Sequence, residues 1–253
     1  MKKVIYIIIF SILISANSLA AENSKNGDVK DCFEGVNRGI FAFNKALDSV
    51  IVEPLATGYR QLPSPIRTGT SNFLSNISLL STIPNNVLQG DLGLAGKNTS
   101  RLLINSTIGI LGLFDPASSF GLNNYEREDY GQTLARWGVG EGCYIVLPVL
   151  GPSTTRDVVG SIGSLVVGGD PWYNITVRND THYFADFDYY FSRAGTGIDF
   201  RAKNLESLDN LEKNSMDFYA SVRSLYLQDR KQKVMNASKV MDAMDDSNWE
   251  EIE

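Results

Sequence analysis

Histidine is almost missing from this chain of 253 residues: His182 stands alone. Cysteine occurs twice, as Cys32 and Cys143. These shortages exclude most hydrolytic and metal chemistry. A catalytic nucleophile needs a base beside it, and His182 lies in an aromatic segment with no nucleophile near it, so a surface or packed role is expected. No H-E-x-x-H helix, Walker loop or cysteine–histidine zinc spacing occurs. Gly151-Pro152-Ser153 lacks the strand–turn–helix setting that a nucleophile elbow needs. Asp115, Glu126, Glu128 and Asp129 are acidic neighbours, but a solvated loop accounts for them better than a calcium site. The chain is therefore not expected to be an enzyme, and no catalytic residue, cofactor or metal is assigned.

Positive charge is also short. Lys2 and Lys3, an apolar stretch over residues 4–14, and the small residues Ser18 and Ala20 at −3 and −1 of a cleavage point before Ala21 form the pattern of a secretory signal peptide, residues 1–20. An N-terminal membrane anchor is the weaker reading, because the apolar stretch is short. No cysteine adjoins the cut, so a lipobox is missing. Losing Lys2 and Lys3 leaves 21 basic residues against 29 acidic ones, a net charge of −8. Such a balance argues against nucleic acid as a partner and against binding by attraction to anionic lipid. Residues 21–30 read as a polar, disordered linker, residues 31–233 as one domain and residues 234–253 as an acidic tail. Beyond the signal no apolar run reaches the ~20 residues that cross a bilayer as a helix.

Two glycine-rich, nearly charge-free runs are present, residues 102–114 and 137–152, with a polar acidic insert at 123–129. Each is too short to span. Together they suggest a hairpin or re-entrant element seated in one leaflet, which must satisfy its own backbone polar groups. Elsewhere the helical period dominates. Val36, Ile40, Phe43, Leu47 and Val50 form one stripe of a helix opened by Asp31 with Glu34 in the manner of a capping box and ended by Pro54. A second helix is expected over residues 66–74, then an apolar segment over 77–87 broken by Pro84. Asn72, Asn76, Asn85 and Asn86 could cap helix ends or bond across helices; capping is expected. A basic amphipathic helix covers residues 92–104. Ser153 to Asp157 starts another helix, in which Gly160, Gly163 and Gly168 allow close backbone approach. The aromatic residues of 172–198 suit either a membrane interface or an aromatic core. A single long helix is expected over 199–233, with Leu205, Leu208, Leu211, Met216, Tyr219, Val222 and Leu225 buried and Arg201, Arg223 and Arg230 on other faces. Strand alternation is almost absent, so the fold is expected to be all-α, with little or no β. Cys32 and Cys143 are either two buried thiols or the ends of a loop of roughly 110 residues, whose closure the chain-entropy model values at about 4–5 kcal/mol.

Many short words of the chain, in order, resemble the MlaA (VacJ) family of outer-membrane lipid-asymmetry proteins. They are Asp31-Cys32-Phe33-Glu34-Gly35-Val36-Asn37-Arg38 with Phe41-Ala42-Phe43-Asn44; Ser71-Asn72-Phe73 to Asn76; Leu88-Gln89-Gly90; Leu103-Ile104-Asn105-Ser106-Thr107-Ile108-Gly109 with Gly112-Leu113-Phe114-Asp115; Tyr130-Gly131-Gln132-Thr133-Leu134; Trp137-Gly138-Val139-Gly140; Leu147-Pro148-Val149-Leu150-Gly151-Pro152-Ser153 with Arg156-Asp157; and Asp217-Phe218-Tyr219, Arg223, Tyr226 and Arg230. The resemblance implies a ring-like helical domain in the inner leaflet of a Gram-negative outer membrane. That ring would surround a polar channel that carries misplaced outer-leaflet phospholipid toward an MlaC-like periplasmic lipid carrier, with a trimeric outer-membrane porin holding the protein in place. It further implies that residues 104–117 form a gating hairpin with Gly109 and Gly112 as its flexible points. Asn105, Phe114 and Asp115 would then stand at the channel or gate, with Phe43 and Asn44 on the helix bearing on it. The family commonly has proline where Cys32 and Cys143 stand and usually has a lipobox cysteine. The paired departure to cysteine implies a Cys32–Cys143 disulfide, tying the first helix to the gate element. The alternative function is a porin-associated structural or intercellular-spread factor without its own lipid path.

Overall fold

A computed structural model describes residues 29–123, 126–179 and 182–235. The signal peptide, nearly all of the linker and the tail beyond residue 235 lie outside the described residues. In chain order, α1 (Glu34–Leu47) passes through a π-turn, Asp48–Val52, into α2 (Glu53–Arg60). α3 (Ser64–Leu88) and α4 (Leu92–Thr107) follow, then the short α5 (Pro116–Ser119) and α6 (Tyr130–Arg136). Strands β1 (Tyr144–Leu147) and β2 (Gly151–Thr154) form an antiparallel hairpin with Tyr144 opposite Thr154 and Leu147 opposite Gly151. α7 (Thr155–Val167), the one-turn α8 (Pro171–Tyr173) with a second π-turn at Asn174–Arg178, α9 (Asp186–Lys203), α10 (Leu205–Asn214) and α11 (Phe218–Met235) complete the chain. The fold is mainly helical, as its pattern implies, with one small sheet.

Several boundaries differ from those expected, each for a visible reason. Pro54 does not end the first helix. It falls in the first turn of α2, where a missing N–H matters least, and the π-turn before it widens the spiral to take the ring. α3 is one helix, not two. Pro84 lies in its last turns, where Asn85 Nδ2 donates to the Ser81 carbonyl at 2.7 Å. Asp31 does not cap α1, whose N-cap is Phe33 without a side-chain bond; its carboxylate accepts instead from Asn37 Nδ2 at 2.7 Å and from the Tyr219 hydroxyl. The expected single helix over 199–233 is α9, α10 and α11, broken at Asn204 and Ser215. Met216 and Leu225 of its supposed buried stripe are exposed, whereas Arg201 and Arg230 are buried. The two glycine-rich runs are not arms of one hairpin: the first is the end of α4 with the turn after it, and the second holds β1 and enters β2.

The interior is polar. Among the described residues, buried polar and charged side chains outnumber buried apolar ones by more than two to one. The apolar core is small, built around Tyr144, Val146 and Tyr219. Conversely Leu150, Val50, Val167, Leu92 and Leu111 are each at least two-thirds exposed. Buried polar groups need partners, and asparagine supplies many of them. Asn37 and Asn44, two helical turns apart on α1, act as a substitute strand beside β1. Asn37 donates to Tyr144 O at 3.0 Å and accepts from Val146 N at 2.9 Å. Asn44 donates to Leu147 O at 2.8 Å and accepts from Val149 N at 2.7 Å. The open edge of the hairpin is thereby closed. Asn86 accepts from Asn98 and Asn85 from Thr133, at 2.8 and 2.6 Å. These asparagines bond across elements, contrary to the capping role expected of Asn85 and Asn86.

Two further ties close the chain on itself. Cys32 and Cys143 are bonded, with Cα atoms 5.6 Å apart, which joins the start of α1 to the residue before β1. The Arg230 guanidinium on α11 takes Asp129 with two 2.6 Å bonds and Asp157 at 2.8 and 2.9 Å. Tyr226 also donates to Asp157, at 2.8 Å. Gly131 must be glycine here, since a Cβ would strike the Asp157 carboxylate, and Gly160 lets α7 pack on the start of α6, where a Cβ would lie only 2.7 Å from the Gly131 nitrogen. Gly168 is the left-handed cap of α7, with φ +78°, and Gly163 faces open space, so of the three glycines of this segment Gly160 alone serves a close backbone approach.

Glu128 is buried and Asp115 and Asp129 are ion-paired, so of the four acids expected in a solvated loop Glu126 alone is exposed. Burial opposes the Asp129 charge, but Arg230 and Gln132 outweigh it and hold the carboxyl down at about 2. The unfolded chain takes up this proton near the ordinary carboxylate value, about 3.9, and the folded chain only at lower pH. The stability Asp129 contributes is thus full above about pH 4 and lost as pH falls toward 2. Chemical denaturation across pH 2–6 should show that decline, and Asp129→Asn should flatten it; an unchanged slope in the variant would contradict the assignment.

Candidate functional site

α3 and α4 pack along each other and turn polar side chains inward. On α3, Asn72, Ser75 and Asn76 share a face; on α4, Arg101 and Asn105 are one turn apart. With Asp115 and Ser118 of the α5 region they line a cavity of about 520 Å³, within the size range of ligand sites. Arg101 is buried and pairs with Asp115 at 2.9 Å. Asn105 donates to the other Asp115 oxygen at 2.8 Å and accepts from Ala117 N at 3.1 Å. Asp115 also caps α5 through Ser118 N. Burial works against the Asp115 charge, yet bonds from Ser118, Asn105 and Arg101 prevail and hold its carboxyl below the usual range.

Residues 108–114 form a strained lip beside this cavity, against its lining residues Asn72 and Asn76. Ile110 and Leu111 have φ of 52° and 57° and Gly112 has φ of 90°. The left-handed region disfavours bulky residues and is strained there. Ile108, Ile110, Leu111 and Phe114 all point outward and are more than half exposed. Beneath them, α3 clasps the turn. Asn72 Nδ2 donates to Leu113 O at 3.3 Å, and Asn76 Nδ2 to Ser106 Oγ at 2.9 Å. A Cβ on Gly112 would lie 2.5 Å from Asn76 Cβ, and one on Gly109 2.5 Å from the carbonyls of Asn105 and Phe114. Asn72 and Asn76 are therefore clasps, not caps.

A second polar cavity, about 300 Å³, lies beyond Asn72 between α2, α3 and α9. Tyr59, Arg67, Ser71, Asp199 and Lys203 line it, and Asn72 lines both cavities. Thus Asn105, Gly109, Gly112, Phe114 and Asp115 come together at one cavity and its lip. Phe43 and Asn44 stand elsewhere: Asn44 holds the β1–β2 turn and lines an outer groove of about 650 Å³, and Phe43 is exposed on α1. The disulfide likewise sits at the β1 end and not at the lip. Asn76, Arg101 and Arg67 escaped assignment as site residues. The signal that could have found Asn76 and Arg101 is the i,i+4 spacing of polar residues on one helix face, Asn72 with Asn76 and Arg101 with Asn105; nothing in the pattern marks Arg67. His182 is exposed, and among the described residues no cluster of metal-ligating side chains occurs.

The class these features define is a helical protein turned inside out, with polar side chains and two polar cavities that share Asn72, and greasy side chains on the outside. Among its described residues no helix is long and apolar enough to cross a membrane. The family model of the MlaA lipoprotein matches residues 29–233, and the chain belongs to that family. An uncharacterised protein of Rickettsia bellii (strain RML369-C) is 37% identical over 209 residues, covering 82% of this chain and 78% of that one. The intermembrane phospholipid transport system lipoprotein MlaA of Escherichia coli (strain K12) is 33% identical over 204 residues, covering 78% and 76%. A solved structure described as "Structural basis for maintenance of bacterial outer membrane lipid asymmetry" matches with a TM-score of 0.68 at 33% identity, covering 81% of this chain and 99% of that chain.

The lip makes a direct prediction. Gly112→Ala adds a Cβ at positive φ and against Asn76, so it should destabilise the protein by about 1–3 kcal/mol. Gly58→Ala, in α2 with nothing within 4 Å, should be neutral or stabilising by up to about 1 kcal/mol. Thermal unfolding of both variants checks this, and equal behaviour would remove the lip's special geometry from the account.

Proposed function

We propose that this protein is a phospholipid-translocating component that maintains outer-membrane lipid asymmetry, passing outer-leaflet phospholipid inward to an MlaC-like periplasmic carrier. The observation that carries this reading is the pair of polar cavities on either side of α3, both lined by Asn72, in a molecule whose surface is rich in exposed apolar side chains. A phospholipid in transit needs water or fixed polar groups around its headgroup, because desolvating a charge in hydrocarbon costs several kcal/mol. Its acyl chains need the opposite. Asparagine, serine and the Arg101–Asp115 pair supply the first environment, and the outward face of residues 108–114 borders the second. The relative from E. coli bears the name of a phospholipid transport lipoprotein, which supports the same role here.

The apolar exterior fits a seat in the inner leaflet of the outer membrane on its periplasmic face. Elements too short to span reach one leaflet only, so access to the two sides is unequal by geometry. A trimeric porin is the proposed neighbour against the outer apolar face. The chemistry is transfer without bond cleavage, and the lipid's own gradient together with the downstream carrier would supply the direction.

A strain lacking the protein should accumulate outer-leaflet phospholipid, measured by labelling with a membrane-impermeant amine reagent or by surface phospholipase sensitivity. The wild-type chain should reverse this. Ser75→Trp, which places an indole in the first cavity, should reach the membrane in equal amount and fail to reverse it. Full rescue by Ser75→Trp would sink the passage, and no accumulation in the deletion strain would leave a purely structural protein as the reading.

A further inference from the structure

We infer that Arg67 is a holding point for the phosphodiester of a phospholipid in transit, an inference that rests on the passage proposed above. Charge is balanced in one of the two cavities and not in the other. In the first, Arg101 is neutralised by Asp115 at 2.9 Å. In the second, Lys203 is neutralised by Asp199 at 2.8 Å. Arg67 lines the same second cavity, and among the described residues it has no carboxylate partner. Its Nε donates to the Leu62 carbonyl at 3.1 Å, which fixes the plane of the guanidinium and leaves both terminal nitrogens available. The second cavity therefore carries one uncompensated positive charge, and the first carries none.

With Nε engaged, the end-on Nη1–Nη2 edge of the guanidinium remains, and it matches the two non-bridging oxygens of a phosphodiester in a forked pair. The neighbouring Tyr59 is fully engaged elsewhere: its hydroxyl faces the Arg67 carbonyl at 3.1 Å and Asp199 at 3.2 Å. That contact braces the backbone of Arg67 and keeps Asp199 turned toward Tyr59 and Lys203. Arg67 is half-buried at the start of α3, and Ile66 beside it is an exposed apolar residue. A lipid whose phosphate meets Arg67 thus has a greasy surface adjacent for its chains. Headgroup chemistry beyond the phosphate has no complementary charge here. The site therefore selects for a phosphodiester and not for a particular alcohol on it.

The test is binding to the purified full chain in detergent, by titration calorimetry. Three probes are used: dihexanoyl phosphatidylglycerol, dihexanoylglycerol, which lacks the phosphate, and inorganic phosphate. Arg67→Gln should weaken the phospholipid about tenfold, the worth of one charge-assisted hydrogen bond, and leave dihexanoylglycerol unchanged. Arg67→Lys should recover part of the loss, since it keeps the charge and loses the fork. Melting curves confirm that each variant is folded; should Arg67→Gln not fold, weaker phospholipid binding by Arg67→Lys supports the inference and unchanged binding overturns it. Equal phospholipid binding by wild type and Arg67→Gln overturns the role of Arg67 alone. Inorganic phosphate bound as tightly as the phospholipid also overturns it, marking a free-anion site. A wild-type chain that binds no phospholipid overturns the passage itself.

Discussion

Everything in this molecule follows from the need to satisfy buried amides and charges without an apolar core of ordinary size. A globular protein usually buries its greasy side chains and leaves polar ones to water. Here asparagines, threonines and paired arginines fill the inside, and each has to find a partner or pay the full desolvation cost. Asparagine suits the task because one side chain offers both a donor and an acceptor. Asn37 and Asn44 complete the edge of a strand, Asn72 and Asn76 clasp a turn, and Asn105 orients Asp115. The same chemistry that holds the fold also coats the cavities.

Rigidity and strain are distributed unequally. The Arg230 node joins α6, α7 and α11, and the Cys32–Cys143 bond pins the start of α1 to the hairpin. That half of the molecule is over-determined. The lip at 108–114 is the contrary case: two bulky residues at positive φ and outward apolar side chains, held to the end of α4 by backbone hydrogen bonds and to α3 through Asn72. A segment with strained backbone and few buried contacts belongs to the less stable end of a structure. The arrangement places this strained segment beside the polar cavity, against its lining residues Asn72 and Asn76.

The sequence shows the helical class, the apolar character of residues 102–114 and the family words, because these rest on composition and local period. It hides what depends on distant partners. Residues 137–152 look like a membrane-seeking run, but a short apolar stretch cannot be told from a strand by hydropathy alone, and Tyr144 and Val146 alternate inward as a strand would. The helix breaks at Asn204 and Ser215 are invisible because no proline or glycine marks either, and the apolar stripe runs on from Leu211 to Met216 and Tyr219 across the second. Arg201 and Arg230 look like surface charges until Asp48, Asp129 and Asp157 arrive from far along the chain. Asparagines spaced one turn apart resemble caps unless the facing helix is known. The cavity residues Asn105 and Asp115 come from the resemblance, and Asn72, Asn76 and Arg101 from the packing of α3 on α4.

The central claim is that a wet path runs inside a greasy shell, and cysteine accessibility in the native membrane measures it most directly. The chain's own two cysteines are bonded, so single cysteines can be introduced at Ser71, Ser75, Val50 and Leu111 without competing thiols. The account predicts fast reaction of Ser71→Cys and Ser75→Cys with a charged, water-soluble methanethiosulfonate. It predicts slow reaction of Val50→Cys and Leu111→Cys, whose attached fluorophores should be quenched by lipid-borne nitroxides. The reverse pattern, with the interior positions inert and the apolar exterior freely labelled from water, would contradict it.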